Sequence, residues 1–217
     1  MFMKTFVVLL ASALAIAGSA QESMKTFTSP EGLFRFRYPE SFVNCTKRAT
    51  GATKESGIPG VDHPLPDSCA GQEALCAGPG SNGTTLACFA YPKEKFKDKP
   101  HFVGAAFFIS EIQPARTESE CLAGSPDWLV TNSKVEPTKI NGITFKVWEI
   151  QDNWAGGGQS GPVYRSFRHD KCYEVGIQIA ISRAEYDPGT FKEFTEQDRS
   201  EVDGRLLQAL NSFFFLK

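Results

Sequence analysis

Several hallmarks of catalytic and metal-binding proteins are scarce or missing in this sequence. The chain has 3 histidines, and none lies in an HExxH, HxH or CxxC…H spacing that fixes a metal ion: His63, His101 and His169. The GxSxG pattern of serine hydrolases and the phosphate-binding GxGxxG and Walker patterns are missing too. We therefore expect no resident metal and no cofactor.

A strong net charge is also missing. The 23 basic and 25 acidic side chains give a formal charge of −2 at pH 7. Binding of DNA or RNA needs a concentrated basic face that neutralises phosphates, and the most lysine-rich stretch, residues 93–99, is interrupted by acids. We therefore expect no nucleic acid among the partners.

Long apolar runs are confined to the beginning of the chain. Lys4 precedes an apolar run over residues 6–18, and small residues follow it up to Ala20. This order predicts a secretory signal peptide over residues 1–20 with cleavage near Ala20, because a transmembrane helix needs a longer run, about 20 residues. We expect a secreted or periplasmic protein with no transmembrane segment in the mature chain, and residues 21–217 as a single domain.

Cysteine, by contrast, is well represented. Six cysteines follow the predicted signal peptide: Cys45, Cys69, Cys76, Cys88, Cys121 and Cys172. An even number in an exported chain predicts three disulfides, formed in an oxidising compartment. The sequence leaves their pairing open, although Cys69 and Cys76 are close enough along the chain to bridge locally.

Residue patterns predict two hairpins and a buried strand. Aromatic residues alternate with arginines over residues 34–38, which predicts a half-buried strand paired with residues 25–28. The apolar run 102–112 predicts a central strand with both faces buried. Asn141 and Gly142 separate two extended runs, and this dipeptide favours the tight turn of a β-hairpin.

A further hairpin is predicted from residues 162–167 and 172–182 around the polar turn 168–171. Apolar residues alternate along its second strand, which predicts one face in the core. The residues between them, including Glu174 and Gln178, predict a second face that is mostly exposed to solvent.

The C-terminal region predicts a helix. Thr195 is followed three positions later by Asp198, as in a capping box. Three apolar residues then form a stripe at i, i+4 and i+8: Val202, Leu206 and Leu210. Residues 213–215, all Phe, are expected to dock on the sheet. Antiparallel hairpins followed by a terminal helix predict an α+β fold, a central antiparallel sheet flanked by helices.

Residues 44–100 differ from the rest in composition. Gly, Pro, Ser and Thr are dense there, four of the six cysteines fall in this range, and no hydrophobic period persists. We expect a long insertion that disulfides fasten to the domain, with a helical turn near residues 72–75 and a strand over 84–91. Asn44 and Asn82 fit the glycosylation sequon, which matters only in a eukaryotic source.

Four stretches together resemble a known family: EGLFRFRYPESF at residues 31–42, GITFKVWEI at 142–150, VYRSFRHDKCYEVGIQIA at 163–180 and LLQALNSFFF at 206–215. In this order they resemble the PsbP-like family, named for an extrinsic subunit of photosystem II. The resemblance implies a central antiparallel sheet sandwiched by helices. It also implies exported or peripheral proteins that act as binding or assembly factors rather than enzymes. The insertion does not match the family pattern, and no functional residue is transferred from the family.

A glycine-rich stretch, residues 153–162, is predicted to be a flexible connection between two hairpins. It begins near Trp154 and leads to Tyr164 and Arg165, and exposed aromatic and arginine side chains on mobile loops commonly form contact sites. These three residues are the candidate partner contacts. In the alternative interpretation, Trp154 packs over the edge of the sheet.

A thiol enzyme is the main competing hypothesis, because Cys172 follows His169 closely and a reactive thiolate needs such a base. Six cysteines in an exported chain favour a disulfide for Cys172 instead. The sequence therefore favours an exported, non-enzymatic binding or assembly module, with a protein, an envelope component or a small ligand as its unknown partner. A hydrolase whose site forms only on folding, and a purely structural envelope protein, are the alternatives.

Overall fold

A computed structural model of the chain describes residues 22–46, 69, 72–76, 83–123, 137–185 and 189–216. The predicted signal peptide and its cleavage site near Ala20 lie outside these ranges, as do His63, Asn82 and most of the predicted insertion.

The described residues form strands and helices as follows. The strands are β1 (Met24–Thr28), β2 (Phe34–Pro39), β3 (Val43–Asn44), β4 (Gly83–Ala90), β5 (Phe102–Ile112), β6 (Thr138–Ile140), β7 (Ile143–Trp154), β8 (Gly157–Arg168), β9 (Lys171–Ser182) and β10 (Phe214–Phe215). The helices are α1 (Glu73–Cys76), α2 (Glu118–Ala123) and α3 (Glu196–Asn211), with a 3₁₀ helix at Lys93–Phe96. This composition confirms the predicted α+β class.

The strands form two sheets, and the pairing within them is antiparallel. The larger sheet has the order β3-β4-β5-β9-β8-β7-β6, and the smaller has the order β1-β2-β10. The predicted hairpins β1–β2, β6–β7 and β8–β9 are all present. Asn141 and Gly142 take positive φ angles in the β6–β7 turn, and His169 and Asp170 do so in the β8–β9 turn, as tight hairpin turns require.

The main core lies between the larger sheet and a layer formed by the smaller sheet and α3. Phe107 of β5 and Val175 of β9 are fully buried there against Phe36 of β2 and Leu206 of α3. Aromatic rings dominate the contact, since Phe36 meets Phe107 with ring centroids 4.8 Å apart. The C-terminal phenylalanines close this layer, because β10 pairs with β2.

Helix α3 begins as the sequence predicts. Thr195 accepts a hydrogen bond from the backbone N–H of Asp198, and the Asp198 carboxylate accepts one from the backbone N–H of Thr195. The predicted apolar stripe, Val202, Leu206 and Leu210, is buried. The capping box therefore fixes the start of the helix, and the stripe fixes its rotation against the sheet.

The opposite face of the larger sheet is covered by α1, α2 and the cysteines. The disulfides join Cys45 to Cys69, Cys76 to Cys88 and Cys121 to Cys172. The predicted count of three is confirmed, and the local bridge between Cys69 and Cys76, which the spacing allowed, is not formed. Cys76 is the last residue of helix α1 and is bonded to Cys88 of β4, 5.5 Å away between Cα atoms.

The prediction that one face of β9 is mostly exposed to solvent is wrong. Glu174 is fully buried and Gln178 is 2% exposed, because the disulfide-linked cover lies over that face. Strand β4, within the predicted insertion, is an integral strand that pairs with β5. Within the ranges described above, no helix is both long and apolar enough to cross a membrane.

Candidate contact site at the β7–β8 turn

The glycine-rich stretch folds as a tight hairpin, not as the predicted flexible connection. Trp154, the last residue of β7, pairs with Gly157, the first residue of β8, so only Ala155 and Gly156 form the turn. Gly156 has a φ of +88°, a conformation that side chains other than glycine rarely adopt. The remaining glycines continue as strand β8, which also pairs with β9.

Gly157 determines how Trp154 is presented. A Cβ atom at Gly157 would lie 2.8 Å from the indole Nε1 of Trp154 and 2.7 Å from the carbonyl oxygen of Ile181. The absence of a side chain therefore lets the indole lie directly against the neighbouring strand. Trp154 is still 44% exposed, so a large aromatic surface remains accessible at the end of the sheet.

The turn is fastened to the residues that follow β9. The backbone N–H of Arg183 donates to the carbonyl oxygen of Gly156 at 2.8 Å. The Arg183 guanidinium donates to the side-chain oxygen of Asn153 at 3.2 Å. Arg183 is itself exposed, so its guanidinium lies at the same turn as the Trp154 indole, beside Asn153.

Sequence reasoning missed Arg183. No local motif marks it, and it reaches the turn only because β8 pairs with β9 and places Ser182 opposite Gly157. The register of the predicted β8–β9 hairpin, extended back to Gly157, places Arg183 beside the turn.

Two of the candidate contacts, Tyr164 and Arg165, are buried rather than exposed. Tyr164 is 9% exposed and packs edge-on against Phe145, with ring centroids 6.3 Å apart. Burial raises the pKa of the Tyr164 phenol, and the nearby carboxylate of Glu149 adds to the rise. Both residues lie within β8, far along the strand from the turn, so Trp154 is the accessible member of the predicted set.

Arg165 instead forms a buried ion pair on the other face of the sheet. Its Nε atom lies 2.7 Å from Oε2 of Glu174, the directly opposite residue on β9. The guanidinium also lies 5.2 Å from the ring centroid of Trp148. Burial raises the pKa of Glu174, although the Arg165 charge acts in the other direction. This arrangement is suited to fixing the register of β8 and β9, not to contacting a partner.

Glu149 lies on the side of β7 that faces α3, and Asp203 of α3 lies near it. Partial burial raises the pKa of Glu149, and the charge of Asp203 on α3 contributes. Partial burial also raises the pKa of Asp203, against the influence of Arg199, whose Nε lies 3.8 Å from the carboxylate. The surface between β7 and the helix therefore carries two carboxylates and one guanidinium.

Cys172, the thiol nucleophile of the competing hypothesis, has no free thiol in this structure. Cys172 is buried and bonded to Cys121, so it has no thiolate for His169 to activate. His169 lies in the β8–β9 turn and contacts the ring of Phe215. In the part of the chain that the structure describes, no three His, Cys, Asp or Glu side chains are grouped to hold a metal ion.

Comparison with known proteins finds distantly similar solved structures. No protein-family model matches it, and no curated protein sequence matches it significantly. Similar solved structures include a Bacteroides thetaiotaomicron protein, with a TM-score of 0.42, 10% identity and coverage of 89% of this chain. The chain spans 48% of that protein.

Two further similar structures are of named proteins. The Ran-binding protein Mog1p of Saccharomyces cerevisiae has a TM-score of 0.40 and 10% identity, with 89% of this chain and 96% of that chain covered. PsbP from the cyanobacterium Synechocystis has a TM-score of 0.38 and 15% identity, with 92% and 96% covered. The comparison thus returns the family that the sequence resembles. All three TM-scores lie below 0.5, and the proposed function therefore depends on this chain's own residues.

Proposed function

We propose that this chain is an exported, non-enzymatic binding module that contacts a partner protein through Trp154 and Arg183 at the β7–β8 turn. The observation that carries the proposal is the exposed indole of Trp154, which lies against Gly157 in a turn that the hydrogen bonds of Arg183 fasten. Tryptophan and arginine dominate the binding energy of many protein interfaces. A rigid turn loses little conformational entropy when it binds.

Export is supported by the cysteines and by the start of the sequence. No cysteine is free, and disulfides persist mainly in secreted, periplasmic and lumenal compartments. The predicted signal peptide over residues 1–20 fits the same compartment.

The partner site is tested with a pair of single variants. We expect Trp154→Ala to weaken partner binding by about 2 kcal/mol or more, roughly thirtyfold, because a truncated central tryptophan commonly costs that much. The control is Leu207→Ala, since Leu207 is an exposed apolar side chain on α3, 37% exposed. The tagged proteins are used to capture partners from an extract of the source envelope, and the captured protein is quantified by mass spectrometry.

Two results decide the proposal. A partner that is retained by the wild-type protein and by Leu207→Ala, but lost with Trp154→Ala, supports it. Equal recovery of the same partner with Trp154→Ala and with the wild-type protein would contradict it.

A further inference from the structure

Strand β7 has one side that no described strand covers. It extends over Ile143–Trp154, but β6 pairs only with its first three residues, Ile143, Thr144 and Phe145. From Lys146 to Trp154 the described pairing is with β8 alone. The outer side of β7 over residues 146–153 is therefore an open sheet edge within the described residues.

The two turns that flank β7 determine which backbone groups point outwards. Ile140 pairs with Ile143 across one two-residue turn, and Trp154 pairs with Gly157 across the other. In such hairpins the closing pair is hydrogen-bonded, and the direction of the backbone groups alternates along the strand. The outward N–H and C=O groups on the open edge therefore belong to the odd-numbered residues: Val147, Glu149, Gln151 and Asn153.

This edge lacks three of the features that prevent strand addition, although it carries the charged residues Lys146, Glu149 and Asp152. Proteins commonly protect an edge with a proline, a bulge or a very short strand. Residues 146–154 contain no proline, and their pairing with β8 runs without a register shift. Regular outward hydrogen-bonding groups of this kind form a template for an added strand.

The charges beside the edge indicate what kind of strand it accepts. Val147 packs on the core that includes α3, so Glu149 and Gln151, two and four residues further on, face the same side. Glu149 shares that side with Asp203 of α3, whose charge contributes to the raised pKa of Glu149, and Arg199 lies 3.8 Å from the Asp203 carboxylate. Basic side chains on the α3-facing side of an added strand would pair with the exposed Glu149 carboxylate.

We propose that the outer edge of β7 binds an extended segment of the partner protein by strand addition, and that this segment carries Lys or Arg on the side facing α3. The inference rests on the proposed function and specifies the kind of partner. A second copy of this chain fits less well. Two-fold pairing centred on the open edge would bring the Glu149 residues of both copies close together, and like charges on paired strands repel.

Synthetic peptides test the proposal without knowledge of the partner. The probe is a fluorescent peptide of about nine residues that alternates Val and Lys, and the matched control replaces each Lys by Glu. We expect the Lys peptide to bind the full chain, more weakly as salt is added, and the Glu peptide to show no binding. Fluorescence anisotropy measures both titrations.

A pair of variants separates the backbone from the side chain. Gln151→Pro removes one outward N–H that β8 does not use, whereas Gln151→Ala keeps it. We expect Gln151→Pro to weaken binding of the Lys peptide by about tenfold and Gln151→Ala by less than about twofold. Thermal unfolding of both variants shows whether the fold is retained.

Amide hydrogen exchange of the wild-type protein decides the case even if Gln151→Pro fails to fold. We expect the outward amides of Val147, Glu149, Gln151 and Asn153 to exchange fast in the free protein and slowly with the Lys peptide. The proposal is overturned by protection of these amides in the free protein, by failure of the Lys peptide to bind, or by equal binding of the Pro and Ala variants. A dimer that protects the same amides would also overturn it, in favour of self-association.

Each of the two proposals can be refuted without refuting the other. A negative peptide titration removes strand addition but leaves the Trp154 capture result intact. Equal capture by Trp154→Ala removes the contact at the turn, while peptide binding to the edge can still be measured.

Discussion

The buried ion pair between Arg165 and Glu174 shows how a single pair of charges constrains the sheet. Both side chains are nearly inaccessible, with Arg165 5% and Glu174 0% exposed. A buried pair gains little net stability over apolar residues, since removing both charges from water is costly. Removal of one partner is more damaging, because it leaves the other charge buried and uncompensated.

This asymmetry gives a prediction for unfolding experiments. We expect Arg165→Ala to reduce the free energy of unfolding by about 3–5 kcal/mol, and the double variant Arg165→Met with Glu174→Leu to lie closer to the wild type. Urea unfolding monitored by circular dichroism measures both. A double variant at least as unstable as Arg165→Ala would show that the pair stabilises the fold beyond compensating its own charges.

At the scale of the element, α3 offers a test of local sequence signals. The capping box at Thr195 satisfies a backbone N–H that has no partner within the helix. We expect Thr195→Ala to lower the free energy of unfolding by about 1 kcal/mol. The control is Ser200→Ala, at an exposed position inside the same helix. An equal effect of the two substitutions on the urea midpoint would mean that the cap contributes nothing specific.

Elements with a local signal were predictable from the sequence. The Asn141-Gly142 turn, the polar turn before β9 and the Thr195 cap each depend on residues close together along the chain, so their patterns specify them directly. The prediction of a flexible connection over residues 153–162 was wrong because the glycines there serve two purposes. Gly156 forms the turn, whereas a Cβ at Gly157 or Gly161 would collide with backbone oxygen atoms of β9.

Long-range contacts were less accessible to sequence reasoning. The polar residues of β9, such as Glu174, have the alternation of a solvent-facing strand, and nothing near them in the sequence indicates the cover supplied by distant cysteines. Trp154, a candidate contact from the sequence, is exposed, but Arg183 and the open edge of β7 depend on strand register, which only the folded sheet specifies.

At the scale of the whole molecule, disulfides hold a second layer over the sheet. Cys121 and Cys172 join α2 to the beginning of β9, and the Lys146 ammonium donates to the carbonyl oxygen of Leu122 at 2.7 Å. Cys76 and Cys88 join α1 to β4. The two bridges close loops of different length, with sequence separations of 51 and 12.

The difference in loop length gives a prediction. We expect Cys121→Ala with Cys172→Ala to cost about 2–4 kcal/mol, and Cys76→Ala with Cys88→Ala to cost about 1 kcal/mol less, because the longer loop restricts the unfolded chain more. Urea unfolding of the two double variants measures the difference. The opposite ranking would indicate that packing around the bridges, not restriction of the unfolded chain, determines their contribution.

Photo-crosslinking in living cells of the source tests whether the β7–β8 turn is a partner site. A benzophenone amino acid replaces Trp154 in one variant and Leu207 in the other, and adducts are resolved by mass after irradiation. We predict a discrete protein adduct from position 154 and none of that mass from position 207. The same adduct from both positions, or an adduct from position 207 alone, would contradict a binding module that contacts its partner at this turn.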